Sequence, residues 1–213
     1  MQKTTLLLKT NIKNRLTLLI IVLMSFMISS CATSSDIDVS QDIPAFNQQQ
    51  IQLELTNISD WKISGVIGIK YNGKADSANY IWQQNGDNFY IKIYGPLGVG
   101  AVEISGDKNS VELTDSDGKK TKSANVDNLL NQKLGWSVPV SGLIYWVKGI
   151  AQPNENKYTK YDQKNLLESL EQDGWDIDYK DYKLINGKYP LPSKVFMSRD
   201  GVTIKVIIKS WEV

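Results

Sequence analysis

From Trp61 onward, apolar and polar residues alternate with a period of two. Ile63, Gly65, Ile67, Ile69 and Tyr71 fall on one side, and Ser64, Gly68 and Lys70 on the other. That period places successive side chains on opposite faces of a strand. Asn72-Gly73 follows, the pair best suited to a two-residue hairpin. The next run sets Ala78, Tyr80 and Trp82 against Ser77, Asn79 and Gln83, and Asn85-Gly86-Asp87 turns the chain again. Phe89, Ile91 and Ile93 then alternate with Tyr90, Lys92 and Tyr94. Val102 and Ile104 stand against Glu103, and beyond the Gly106-Asp107 turn Val111 and Leu113 stand against Glu112. The pattern predicts an antiparallel meander with one apolar and one polar face.

Helical spacing appears on both sides of this meander and within the second half. Pro44 suits a first helical turn and opens a predicted helix to about Leu55, with Ile51, Leu55 and Phe46 toward one face. Val126, Leu129, Leu130 and Leu134 form a second helical stripe that Gly135 stops. Leu143, Ile144 and Val147, with Trp146, form a third that ends at Gly149. Strands return at about Leu166–Leu170, Trp175–Tyr179, Lys194–Ser198 and Val202–Trp211. In the last of these, Val202, Ile204, Val206 and Ile208 share a side. The fold class expected is α+β: one curved antiparallel sheet whose apolar face is covered by a few short helices. Periodicity does not say whether the space under the helices is filled or hollow.

The first 30 residues are different in kind. Lys3, Lys9, Lys13 and Arg15 precede an apolar run, Leu16 to Ile28, and then Ser29-Ser30-Cys31. The run is about 13 residues, short of the ~20 that span a bilayer as a helix. The order is that of a signal peptide, and a small-residue stretch ending in the chain's single cysteine reads as a bacterial lipoprotein processing site. The division expected is a signal peptide at 1–30, a lipid-bearing Cys31 with a polar tether at 31–43, and one domain at 44–213. Removing the prefix's four basic residues from the 24 leaves 20 against 23 acidic, a net charge of −3. No basic field remains for nucleic acid, and no cysteine is left for a disulfide. Histidine is absent, which removes histidine-based nucleophile, acid–base and metal chemistry. Asp115-Ser116-Asp117-Gly118 lacks the remaining ligands of a calcium loop and is expected to be a hairpin turn. No catalytic site, metal or cofactor is expected, and the chain is not expected to be an enzyme.

Gly95-Pro96-Leu97-Gly98-Val99-Gly100 breaks the rule that hairpin tips are polar. At this point the chain resembles the LolB family of outer-membrane lipoprotein receptors. The shared features are the Ile28–Cys31 stretch, Ile63-Ser64-Gly65, Trp82-Gln83-Gln84 and Pro96-Leu97-Gly98. They continue with Pro139 followed by Leu143, Trp146 and Gly149, and with the closing strand from Ile204 to Trp211. The resemblance implies an unclosed β-barrel under an α-helical lid, with a cavity for acyl chains. It implies lipidation at Cys31 and a membrane-insertion role for Leu97, flanked by Pro96 and Gly98. It also implies anchoring in the outer membrane of a Gram-negative bacterium, facing the periplasm. The implied partners are a LolA-like periplasmic carrier, lipidated lipoprotein cargo and outer-membrane phospholipid, with the receptor a monomer. The apolar positions named above are candidates for the cavity wall: Ile63, Ile67, Tyr80 and Trp82, then Phe89, Ile91 and Ile93. Val102, Ile104, Leu143, Trp146 and Val206 complete the set. The alternative is a lipid-binding or envelope-assembly lipoprotein of the same fold without carrier-dependent transfer.

Overall fold

The computed structural model describes residues 43–129, 140–153 and 155–213. The prefix, Cys31 and nearly all of the tether lie outside the described residues, as do Leu130, Leu134, Gly135 and Pro139. Ile43, placed above at the end of the tether, is buried.

Eleven strands form one antiparallel sheet among the described residues. They are β1 (Asp60–Tyr71), β2 (Lys74–Asn85), β3 (Asn88–Tyr94), β4 (Val102–Gly106), β5 (Val111–Thr114) and β6 (Lys120–Ser123), then β7 (Lys157–Tyr161), β8 (Leu167–Gln172), β9 (Trp175–Ile185), β10 (Tyr189–Arg199) and β11 (Val202–Glu212). Each pairs with its neighbour in sequence except that β1 pairs with β11, which joins the two meanders, and β6 and β7 are the outer edges. The two edges do not pair, so the barrel is unclosed, as expected. The outer face is polar and carries cross-strand ion pairs: Lys92 with Glu103 at 2.9 Å and Lys62 with Glu212 at 2.9 Å, each between residues in direct register.

One irregularity shapes the join. The β1–β11 register shifts between Ser64 and Gly65. A bulge there changes which residues of β11 face inward. Val202 to Ile208 alternate inward on even numbers, yet Trp211 meets Trp61 with ring centroids 5.8 Å apart. Gly65 is required at this point, since a Cβ would lie 1.8 Å from the Ile207 carbonyl oxygen.

The predicted first helix begins later than Pro44. It runs Gln48–Thr56 as α1, because Asn47 caps it: the Asn47 Oδ1 accepts the Gln50 N–H at 3.0 Å. That bond satisfies a donor the first turn would otherwise leave open, and Pro44 stays in the extended approach. Ile51 and Leu55 are its buried face. Residues 126–129 are helical, with Leu129 buried. The third stripe is α2, Val140–Trp146. Two strands were not anticipated, β6 and β7, and β10 starts five residues before the expected Lys194. Pro190 and Pro192 lie in that added stretch, where β10 pairs only with β9. Prolines are tolerated where no partner needs their missing N–H.

The apolar face carries two clusters. The larger joins α1 and α2 to β1, β2 and β8–β11; the smaller joins Phe89, Ile104, Val111 and Leu113 to Leu129 and Val140.

Candidate functional site

Between these clusters the apolar side chains do not fill the space, although Ile91 packs against both. They leave a cavity of about 340 Å³ lined by β1–β5, β10, β11 and α2. A space this size falls within the range of small-ligand sites. Among the described residues, Asp76 and Ser77 are the only lining residues without an apolar side chain. Both are exposed, so this end of the cavity reaches the surface.

The alternation explains why the wall is apolar. Ile67, Tyr80, Trp82, Ile91, Ile93, Val102, Ile104, Leu143 and Val206 all line the cavity. Three candidates do not. Ile63 is wholly buried in the larger cluster, and Phe89 packs in the smaller one. Trp146 turns toward β8, where its indole Nε1–H donates to the Gln172 Oε1 at 2.8 Å. The residues not singled out include Ile69, Leu113, Ile204 and Met197. Ile69, Leu113 and Ile204 occupy the same strand face as chosen neighbours, so the signal was present. Val140 and Val147 join Leu143 at helical spacing.

The lid helix is held at one end. The Gln172 Oε1 also accepts the Gln152 N–H at 2.9 Å, and its Nε2 donates to the Gln152 carbonyl at 3.0 Å. Gln172 is buried, and this clasp fixes Trp146 and the chain just after α2. The Lys148 ammonium, also buried, donates to the Ile58 carbonyl at 3.0 Å. Burial lowers its pKa to about 8. On the cavity wall, burial raises the Tyr80 phenol well above its ordinary range.

The cavity runs to the base of the apolar hairpin. Ile93 and Val102 line it and pair directly across β3 and β4; the chain between them is the tip. Pro96–Gly98 form a single 3-10 turn there, with Leu97 at φ 58°, ψ 18°. A leucine in that left-handed region costs roughly 1–2 kcal/mol. The Gly95 N–H donates to the Val99 carbonyl at 2.9 Å and the Gly98 N–H to the Gly95 carbonyl at 3.1 Å, which hold the turn. Its result is a leucine at full exposure, 103% of the reference value, with no contact to the core. The tip thus projects beside the cavity rather than folding under it.

The family model described as outer membrane lipoprotein LolB matches residues 59–211. The outer-membrane lipoprotein LolB of Francisella tularensis subsp. tularensis is 46% identical over 206 residues, 97% of this chain and 99% of that one. Its namesake from Pseudomonas fluorescens is 35% identical over 158 residues, 74% and 77% of the two chains. Among solved structures, a LolA superfamily protein from Nitrosomonas europaea superposes with a TM-score of 0.51 at 12% identity. It covers 79% of this chain and 94% of its own.

Proposed function

The chain belongs to the LolB family of outer-membrane lipoproteins and so serves lipoprotein localisation; from that premise we propose that it is the receptor that takes lipidated cargo from a LolA-like periplasmic carrier. It holds the cargo's acyl chains in the apolar cavity and inserts them into the phospholipid of the outer membrane. Cys31 bears its own lipid, the residues before it are removed, and it works as a monomer facing the periplasm. The observation that carries this reading is an apolar cavity ending at the base of a fully exposed leucine.

The physical need is plain. A triacylated lipoprotein carries roughly 45 methylenes, and at about 0.8 kcal/mol each, exposing them to water costs on the order of 36 kcal/mol. Cargo therefore passes from one apolar site to another without entering solvent. Direction requires only that the receptor's site bind more tightly than the carrier's, so no chemical step is involved. Leu97 lowers the barrier to the last transfer by seating the mouth against the bilayer. Burying one leucine contributes about 1.5–3 kcal/mol, enough for brief contact and too little for anchoring.

The test uses loaded carrier, this protein and phospholipid vesicles. Leu97→Glu accepts cargo from the carrier and fails to pass it to vesicles, read as the share of cargo in each fraction. Equal delivery by that variant would remove the hairpin from the mechanism. Wild-type protein that takes no cargo from the carrier would overturn the receptor role and favour a lipid-binding lipoprotein of the same fold.

A further inference from the structure

We propose that Val99 enters the bilayer together with Leu97, so that the hairpin tip is a two-residue wedge; this rests on the membrane role given to the tip above. Among the described residues five large apolar side chains stand exposed. Leu97 and Val99, the latter 71% exposed, are the two that lie in one loop. Gly98 and Gly100 flank Val99 with φ of 80° and 68°. The Val99 carbonyl accepts the Gly95 N–H and its N–H donates to the Pro96 carbonyl at 3.3 Å. The backbone that places Leu97 therefore places Val99 too, and the turn's backbone need not be ordered on contact.

Charge selects the bilayer as the occupant. The antiparallel registers bring five turns to this end of the sheet. Lys70 and Lys74 flank the β1–β2 turn, and Asp115, Asp117 and Lys119 lie in the β5–β6 turn. Asp173 lies in the β8–β9 turn, and Arg199 and Asp200 at the β10–β11 turn. Gly95 to Ala101 is the longest of these turns without a charge; Asn72-Gly73 is also uncharged, but Lys74 follows it directly. Desolvating a charge is expensive, so among these five turns the one at Gly95–Ala101 offers exposed apolar side chains to hydrocarbon with no charge inside the turn. A protein partner is a poor fit, because two aliphatic side chains fall far short of the roughly 1,000 Å² that a specific interface buries.

The experiment uses the full, lipid-modified protein on vesicles of phosphatidylethanolamine and phosphatidylglycerol. Val99→Cys carries an environment-sensitive fluorophore, and lipids brominated along the acyl chain serve as quenchers. The label at 99 is expected to be quenched, and the same label in Lys74→Cys, on the neighbouring turn, is not. In the transfer assay Val99→Asp is expected to slow delivery to vesicles about tenfold, with an unchanged melting temperature. An unquenched label with wild-type delivery by Val99→Asp, while Leu97→Glu still fails, would overturn the wedge and leave the role of Leu97 standing. Normal delivery by both variants would overturn the wedge and the membrane role of the tip alike.

Discussion

Lys148 shows how one residue can report on the packing of the lid. Its amine is buried against the Ile58 carbonyl, with the Tyr145 ring 5.5 Å away, and burial holds its pKa near 8, below the ordinary lysine value of 10.5. Between those values the unfolded chain holds a proton that the folded chain has released. Stability therefore rises with pH through that window. Below about pH 8 both states are charged and the folded state bears the full cost of a buried ammonium. The buried phenols of Tyr80, Tyr179 and Tyr182 act in the opposite sense, but only above pH 10, where their raised pKa values begin to cost stability. The urea midpoint is thus expected to climb between pH 7.5 and 9.5, and Lys148→Met to abolish most of the climb. A flat wild-type profile would mean that the amine is hydrated. Nothing in the sequence pointed to this group: a lysine in a helical stripe reads as solvent-facing, and only the chain's path across Ile58 encloses it.

At the scale of elements, the lid helix depends on a side chain from another part of the fold. α2 has only seven residues, too few to be stable alone. Its end is fixed by Gln172 on β8, which bonds Trp146 and both backbone groups of Gln152. Gln172→Leu leaves the buried Trp146 indole N–H and the half-buried N–H and carbonyl of Gln152 unpaired. At about 1–3 kcal/mol each, partly relieved by water, a loss of roughly 2–4 kcal/mol is expected in chemical denaturation. A loss below about 0.5 kcal/mol would mean that the clasp is ornamental. The strands that were legible are those with a buried side and a glycine or asparagine turn, such as β1 to β5. β6 and β7 were not, because Lys-Thr-Lys-Ser and Lys-Tyr-Thr-Lys-Tyr bury neither face. Edge strands rich in lysine resist pairing with other chains, and the same composition hides them from any pattern of alternation. The early start of β10 was hidden by its prolines, and the late start of α1 by a cap at Asn47 that outweighed Pro44.

For the molecule as a whole, the proposed acyl-chain role makes the cavity bear on both stability and binding. Ala78 lies on its wall, paired with Ile67. Ala78→Phe fills part of the space, so it is expected to keep or raise the melting temperature and to weaken a fluorescent fatty-acid probe at least about tenfold. In the wild type, probe at a hundred times its Kd adds about 2.7 kcal/mol, a rise of roughly 5–10 °C for a domain of this size. Unaltered probe binding by Ala78→Phe would place the acyl chains elsewhere. The sequence by itself determined the apolar face and most of the hairpins, because these follow from the period of two and from local turn chemistry; the exposure expected of Leu97 came only with the family resemblance. The tertiary structure decided which residues of that face go unpartnered. Ile63 and Phe89 share the alternation of Ile67 and Ile91, yet they are packed, while their neighbours look onto open space. A strand's pattern records which way a side chain points; whether anything stands opposite it depends on how far the sheet and its covering helices fail to close.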